Sequence, residues 1–331
     1  MCNSEKRDDI ITLRAVAILL VVFGHSIIIY SDAWNLYSTT VQAPLFNVLK
    51  NAVNIVQMPL FFSISGFCLW FTLLKRPRLS WFIRNKVRRI LIPFLVVGVF
   101  WLLPIRMFVG YSAYQNRNLM TVIGWDILLG HDNGHLWFLP TLFLMLIFTC
   151  MVWTVCERCW GRREIFVSAI TVFMFVSLFA PVPNVPYLGT FIEYYKWFGL
   201  GVLIHVAESV IRRVYATPMK YVICFFLIIN LIAMASGWNF VPCVGVLIGF
   251  LTVVSAYAVC PSKTTATLSI ISRDSMGIYL FHSPLIYISF AFWPNIPSVI
   301  MVLINFVGFG LFALLLTELV RRAGLCWVIG E

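Results

Sequence analysis

The stretch TLRAVAILLVVFGHS, Thr12 to Ser26, decides the fold, because it is an apolar segment that carries one Arg and one His. Arg14 and His25 stand eleven residues apart. That is about three helical turns and roughly 16 Å of rise, so both side chains project from one face at different depths. Ionisable groups in hydrocarbon are costly and mark functional sites. Taken singly, each has an ordinary reading: Arg14 as a snorkelling side chain at a helix end, His25 as a helix-packing hydrogen bond. Their shared face favours function.

The surrounding chain makes this a membrane helix. Of 331 residues, 61% are hydrophobic and 11% charged, against about 25% charged in soluble domains, and the mean hydropathy is +0.93. A soluble globular protein is excluded. Apolar segments run almost throughout, so residues 1–331 read as a single transmembrane domain. Arg14 interrupts what would be the apolar region of a signal peptide, so the segment reads as a retained first helix.

Windows of about 20 apolar residues predict an all-α integral membrane protein of about ten transmembrane helices. The spans are Ile10–Tyr30, Ile55–Leu74, Ile90–Gly110, Leu136–Cys156, Ile165–Pro181, Phe191–Ala207, Tyr221–Ser236, Phe240–Cys260, Met276–Trp293 and Ser298–Val320. Lys and Arg are retained on the cytoplasmic side. With the N-terminus inside, 20 of the 24 basic residues fall inside, and only Lys50, Arg106, Arg117 and Lys196 fall outside. Both termini are then cytoplasmic, Arg14 lies near the inner mouth of its helix, and His25 lies near the outer end. The net charge of +11 resides on the inner face, where membrane lipids of the anionic inner leaflet are natural partners. Nucleic acid is not required.

Four further stretches carry candidate chemistry. WFIRNKVRRILIPFL, Trp81 to Leu95, sits on the inner side. At regular helical spacing Arg84 and Arg88 share a face, as do Asn85 and Arg89. Such a patch suits a phosphate-rich cytosolic ligand or lipid headgroups. In MPLFFSISGF, Met58 to Phe67, the small residues Ser63, Ser65 and Gly66 leave room for close helix packing or for a slim substrate chain. GHDNGHLWFLP, Gly130 to Pro140, places His131, Asp132 and His135 in an outer loop; a lone H-x3-H is weak support for a metal. Polar groups beside Trp137 suit a carbohydrate-contact or interface-anchoring surface, and Glu193 lies on the same outer side. GIYLFHSPLI, Gly277 to Ile286, sets His282 inside the ninth span.

Five of these motifs, in order, resemble the acyltransferase 3 family of membrane O-acyltransferases. They are LRAVAILLVVFGHS with its Arg-x10-His spacing, PLFFSISGF, RNKVRRILIPF, HLWFLP and GIYLFHSPL. The resemblance implies transfer of an acyl group, commonly acetyl, from cytosolic acyl-CoA to a hydroxyl on the outer side. The usual acceptors are lipid-linked or surface carbohydrates such as O-antigen, at a bacterial inner membrane. It implies that Arg14 and His25 are the essential pair and that Arg84, Arg88 and Arg89 hold the CoA phosphates. Ser63, Ser65, Gly66 and His282 would line the path, and His135, Trp137 and Glu193 would face the acceptor. Acetyl-CoA is a donor substrate, with no permanently bound cofactor and no metal. His25 would act as general base or carry the acyl group. Where family members often carry Asp three residues before the Arg, this chain has Ile11; Asp8 and Asp9 are out of register. The rival reading is a secondary transporter of a polar solute that uses Arg14 and His25 for binding or proton relay.

Overall fold

A computed structural model of the chain describes residues 7–31, 43–160, 163–235 and 242–331, and every regular element among them is helical. Lys6 and Arg162, and the side chain of Arg158, lie outside what is described. In chain order the helices are α1 (Asp8–Ile28), α2 (Pro44–Leu73), α3 (Leu79–Phe108), α4 (Leu119–Leu128), α5 (Phe138–Trp160), α6 (Arg163–Phe179) and α7 (Leu188–Val206). There follow α8 (Glu208–Tyr215), α9 (Met219–Ala235), α10 (Pro242–Val259), α11 (Ala266–Arg273), α12 (Ser275–Phe292) and α13 (Ser298–Arg322).

Among the described residues each of the ten predicted segments is occupied by helix, the predicted limits Ser236 and Phe240 lying outside them, but the lengths differ. Among the described residues six helices are long and apolar enough to cross a membrane, or seven if the bent pair Leu188–Tyr215 and Met219–Ala233 is one span; that pair turns by 104°. The 17 residues of α6 rise only about 25 Å, short of a hydrocarbon core of about 30 Å. The short apolar helix α4 lies outside all ten predicted segments.

The surface is apolar where a soluble protein's would be polar. Phe100, Val172, Phe175, Phe225, Leu311, Leu315 and Leu319 are all exposed. In water these would be an aggregation hazard; in a bilayer they are the lipid-facing surface. A helical chain suits that setting because it satisfies its backbone groups internally. The protein is a multi-pass membrane protein.

Two features of the bundle position the site. First, α1 lies at the centre, packed against α2, α11 and α12, with Ala15, Ala17, Ile18 and Ile27 fully buried. Its start is anchored at a helix N-terminus, where carboxylates are favoured. Asp9 there pairs with Arg7 at 2.8 Å and with Arg212 of α8 at 2.6 Å, and Arg7 reaches Glu208 at 2.8 Å. Second, α3 widens into π-helical turns at Val87–Leu91 and Gly98–Leu102. Each precedes a proline, Pro93 and Pro104. Proline lacks an N–H and its ring displaces the carbonyl four residues back, so the preceding turn opens to i→i+5 pairing.

Candidate functional site

A basic cavity opens at the end of the molecule where α2 turns into α3. About 730 Å³ in volume, it is walled by Lys75, Arg78, Trp81, Arg84, Asn85, Lys86 and Arg89. A second cavity of about 420 Å³ runs inward, lined by Arg14, Ser65, Cys68, Lys86, Arg89, Phe138 and Tyr279. Thr72, Lys86 and Arg89 line both. A cationic vestibule thus adjoins a smaller cavity of mixed polar and apolar lining that passes Arg14.

The π-turn bears on which arginines line the cavities. All three arginines are exposed, but Arg84 and Arg89 line the vestibule, whereas Arg88 lines neither cavity. The expectation that Arg84 and Arg88 share a face assumed 3.6 residues per turn. Over Val87–Leu91 the pairing widens to i→i+5, and past that break it is Arg89 that shares the vestibule with Arg84. Lys75, Arg78 and Lys86, counted in the sequence only as inner-side charge, complete the vestibule.

Arg14 is half-buried, and its guanidinium approaches the Cys68 sulfur at 3.7 Å. Among the described residues no carboxylate pairs with it. Asp9 is engaged by Arg7 and Arg212, and Asp8 accepts weakly from the Thr264 amide at 3.4 Å. The Ile11 departure therefore leaves Arg14 without an acidic partner in the helix that carries it.

Three histidines from distant parts of the chain meet further along α1. His25 Nδ1 lies 3.1 Å from His282 Nε2. The ring of His135 is centred 6.3 Å from that of His25 and 5.7 Å from that of His282. His282 is 1% exposed and His135 6%, while His25 keeps partial exposure. The proline in FHSPL explains how His135 is held. Pro284 has no N–H, so the Leu280 carbonyl loses its helical partner; His135 Nε2, 3.2 Å away, donates to it. The Tyr279 hydroxyl donates to the His135 backbone carbonyl. Tyr279 also lines the inner cavity, and its ring is centred 5.3 Å from that of His135, so it touches both the cavity and the histidine cluster.

The loop that delivers His135 is held by Arg106, a residue the sequence reading used only for topology. It is 1% exposed. It donates to the Tyr114 hydroxyl (2.7 Å), the Asp132 carbonyl (2.9 Å), Asp132 Oδ1 (3.0 Å) and the Tyr287 hydroxyl (2.7 Å). Burial pushes the Tyr114 phenol up to about 12 against the opposing pull of Arg106, so it stays protonated and donates in turn to the Asp132 carbonyl. Gly134 is required here, since its φ is +57° and a Cβ would sit 2.7 Å from Arg106 Nη2. A lone Arg at the end of an apolar span, followed by Tyr111 and Tyr114, was the available signal.

The remaining predicted residues divide. Ser65 lines the channel. Ser63 and Gly66 instead sit where α2 meets α7: Ser63 is fully buried and bonds Leu60 O at 2.9 Å and Tyr257 OH at 3.3 Å. A Cβ on Gly66 would collide with the Phe198 carbonyl. His131, Asp132 and His135 are sent to three different partners, because His131 stacks on Trp125 at 4.1 Å and Asp132 pairs with Arg106. Trp137 packs on Tyr194 at 5.3 Å. Exposed Glu193 lines a separate cleft of about 290 Å³ with Asn54, Tyr194, Lys196 and Trp197.

A family profile described as an acyltransferase domain matches residues 7–321, which span α1, both cavities and the histidine cluster. No curated protein and no solved structure matches the chain. The chain belongs to the acyltransferase 3 family, and the protein is a membrane acyltransferase.

Proposed function

We propose that the protein moves an acetyl group from cytosolic acetyl-CoA to a hydroxyl of a cell-surface or lipid-linked carbohydrate on the outer side of a bacterial inner membrane. The observation that carries this reading is the joining of the vestibule to the Arg14 channel through Thr72, Lys86 and Arg89. Coenzyme A has a phosphate-rich nucleotide and a thin pantetheine arm. A cationic vestibule suits the first, and the smaller inner cavity, with Phe61, Leu139 and Leu142 in its wall, suits the second. Guanidinium groups bind phosphate well, and exposed Trp81 offers a face for the adenine. Arg84 and Arg89 hold phosphates, Arg14 borders the arm, and the thioester lies against Tyr279 beside the histidines.

His25 takes the proton of the acceptor hydroxyl as general base. The acceptor approaches from the end where Trp137, Tyr194 and Glu193 lie. In this reading the ten helical segments cross the membrane or dip into it with both termini cytosolic, as the distribution of Lys and Arg supports.

The test is O-acetylation of surface polysaccharide, measured by mass spectrometry in cells making wild type, His25→Ala or Arg14→Ala at equal membrane abundance. Loss of the acetyl mass in both variants is expected, and full acetylation by His25→Ala overturns the reading. Acetyl-CoA is also expected to raise the melting temperature of the purified protein in detergent, which a solute exporter would not show.

A further inference from the structure

A general base must present an unprotonated nitrogen, and the hydrogen-bond directions around His25 say which one it is. His282 Nδ1 lies 2.8 Å from the Ile278 carbonyl, one turn earlier in α12. A carbonyl oxygen only accepts, so this nitrogen carries the proton, and neutral His282 has its lone pair on Nε2. That lone pair faces His25 Nδ1 at 3.1 Å. His25 Nδ1 must therefore be the donor, which leaves Nε2 of His25 bare. Among the described residues no side chain bonds His25 Nε2, and of the two residues only His25 keeps partial exposure.

We propose that His282 is the positioning residue of the transfer reaction. It holds His25 in the Nδ1–H tautomer, with the Nε2 lone pair turned to the acceptor. This rests on the reading of His25 as general base. In the step itself the acceptor O–H proton passes to His25 Nε2 while the hydroxyl oxygen forms a C–O bond with the thioester carbonyl carbon. The C–S bond then breaks, and the coenzyme A thiolate takes the proton from Nε2. Throughout, His25 Nδ1–H stays bonded to His282 Nε2, and that bond strengthens while His25 is cationic. His282 plays the part a buried carboxylate plays in a serine hydrolase, where the orienting group fixes tautomer and ring angle without being protonated. A neutral imidazole can fill it because its own proton is committed to Ile278, and it places no second charge in the membrane interior. Its place in the helix is set locally: it reaches the carbonyl four residues back and is followed by Ser283 and Pro284.

Two measurements test the assignment. The first uses 15N-histidine NMR of the full-length wild-type protein in lipid, with His25→Gln as the subtraction control. His25 is expected to show a protonated Nδ1 and a bare, pyridine-type Nε2; the reverse tautomer overturns the proposal. The second uses membranes containing the endogenous acceptor and radiolabelled acetyl-CoA. His282→Gln, whose side-chain carbonyl can accept from Nδ1–H at the position of the lost Nε2, is expected to keep kcat within about tenfold of wild type. His282→Leu is expected to lose about a hundredfold or more in kcat, judged by what loss of an orienting group costs elsewhere, with KM for acetyl-CoA within twofold. Equal kcat in the two variants, or a loss confined to KM, overturns the positioning role. The general-base reading stands or falls separately, on whether His25→Ala abolishes transfer.

Discussion

Arg88 and Arg89 are neighbours in sequence with the same charge, yet only Arg89 lines the vestibule and the channel. Charge alone cannot tell them apart, so they make a sharp test of the cavity as the donor site. Arg89→Ala is expected to raise KM for acetyl-CoA at least tenfold, in line with the loss of one charge-assisted contact of about 1.5–3 kcal/mol. Arg88→Ala is expected to stay within twofold, since Arg88 lines neither cavity. Steady-state kinetics on purified protein read both, and a larger effect from Arg88 would place the coenzyme elsewhere. The same logic separates Ser65, which faces the channel, from Ser63, which is buried against Tyr257.

Helix α2 serves two surfaces at once, and its small residues are divided between them. On the α7 side the backbones touch: a Cβ on Gly201 would run into the Ser63 carbonyl, and one on Gly66 into that of Phe198. Because the obstacle is backbone in both cases, no side-chain rearrangement can relieve it. Gly201→Ala is expected to cost about 1–3 kcal/mol, as overpacking does, and to lower the melting temperature in detergent. An unchanged melting temperature would mean that the helices do not approach so closely. This contact holds the channel-facing side of α2, with Ser65 and Cys68, against α1 and Arg14. The first π-turn of α3 acts in the opposite sense, widening the helix where Arg89 and Ile90 line the cavity.

At the scale of the whole molecule, α12 carries both Tyr279 and His282 and is tied down at its start by a charge network. Asp274, just before α12, receives Arg273 at 2.8 Å and Arg321 of α13 at 2.6 Å, and Arg321 also reaches Glu318 and Glu331. Burial pushes the Asp274 carboxyl up, but the hydrogen bonds and charges of Arg273 and Arg321 outweigh it and hold the group below its ordinary value. A carboxylate depressed in the folded state stabilises fully above its unfolded pKa of about 3.9, and that contribution is lost as the pH falls through the lower folded value. Melting temperature in detergent is therefore expected to decline on acidification below about pH 4. Asp274→Asn is expected to be less stable at neutral pH and to show a shallower acid decline. An identical pH profile would show that the network does not support α12.

Membrane residence and the Arg14–His25 pair were legible in the linear chain because they rest on local quantities: hydropathy over a window and spacing along one regular helix. The family motifs were legible for the same reason, since each lies within one element. The tertiary structure alone decided three things. It set Arg84 beside Arg89 rather than Arg88, where the π-turn ahead of Pro93 breaks the regular spacing on which face assignments depend. It gave α2's small residues to a backbone contact at Ser63 and Gly66 and to a channel at Ser65. It brought His135 and His282 to His25 from 110 and 257 positions away, through the carbonyl freed by Pro284 and a loop clamped on Arg106. Periodicity reports which residues share a face; it carries no information on which faces meet, and the hydrogen-bond direction that leaves His25 Nε2 bare exists only once they have met.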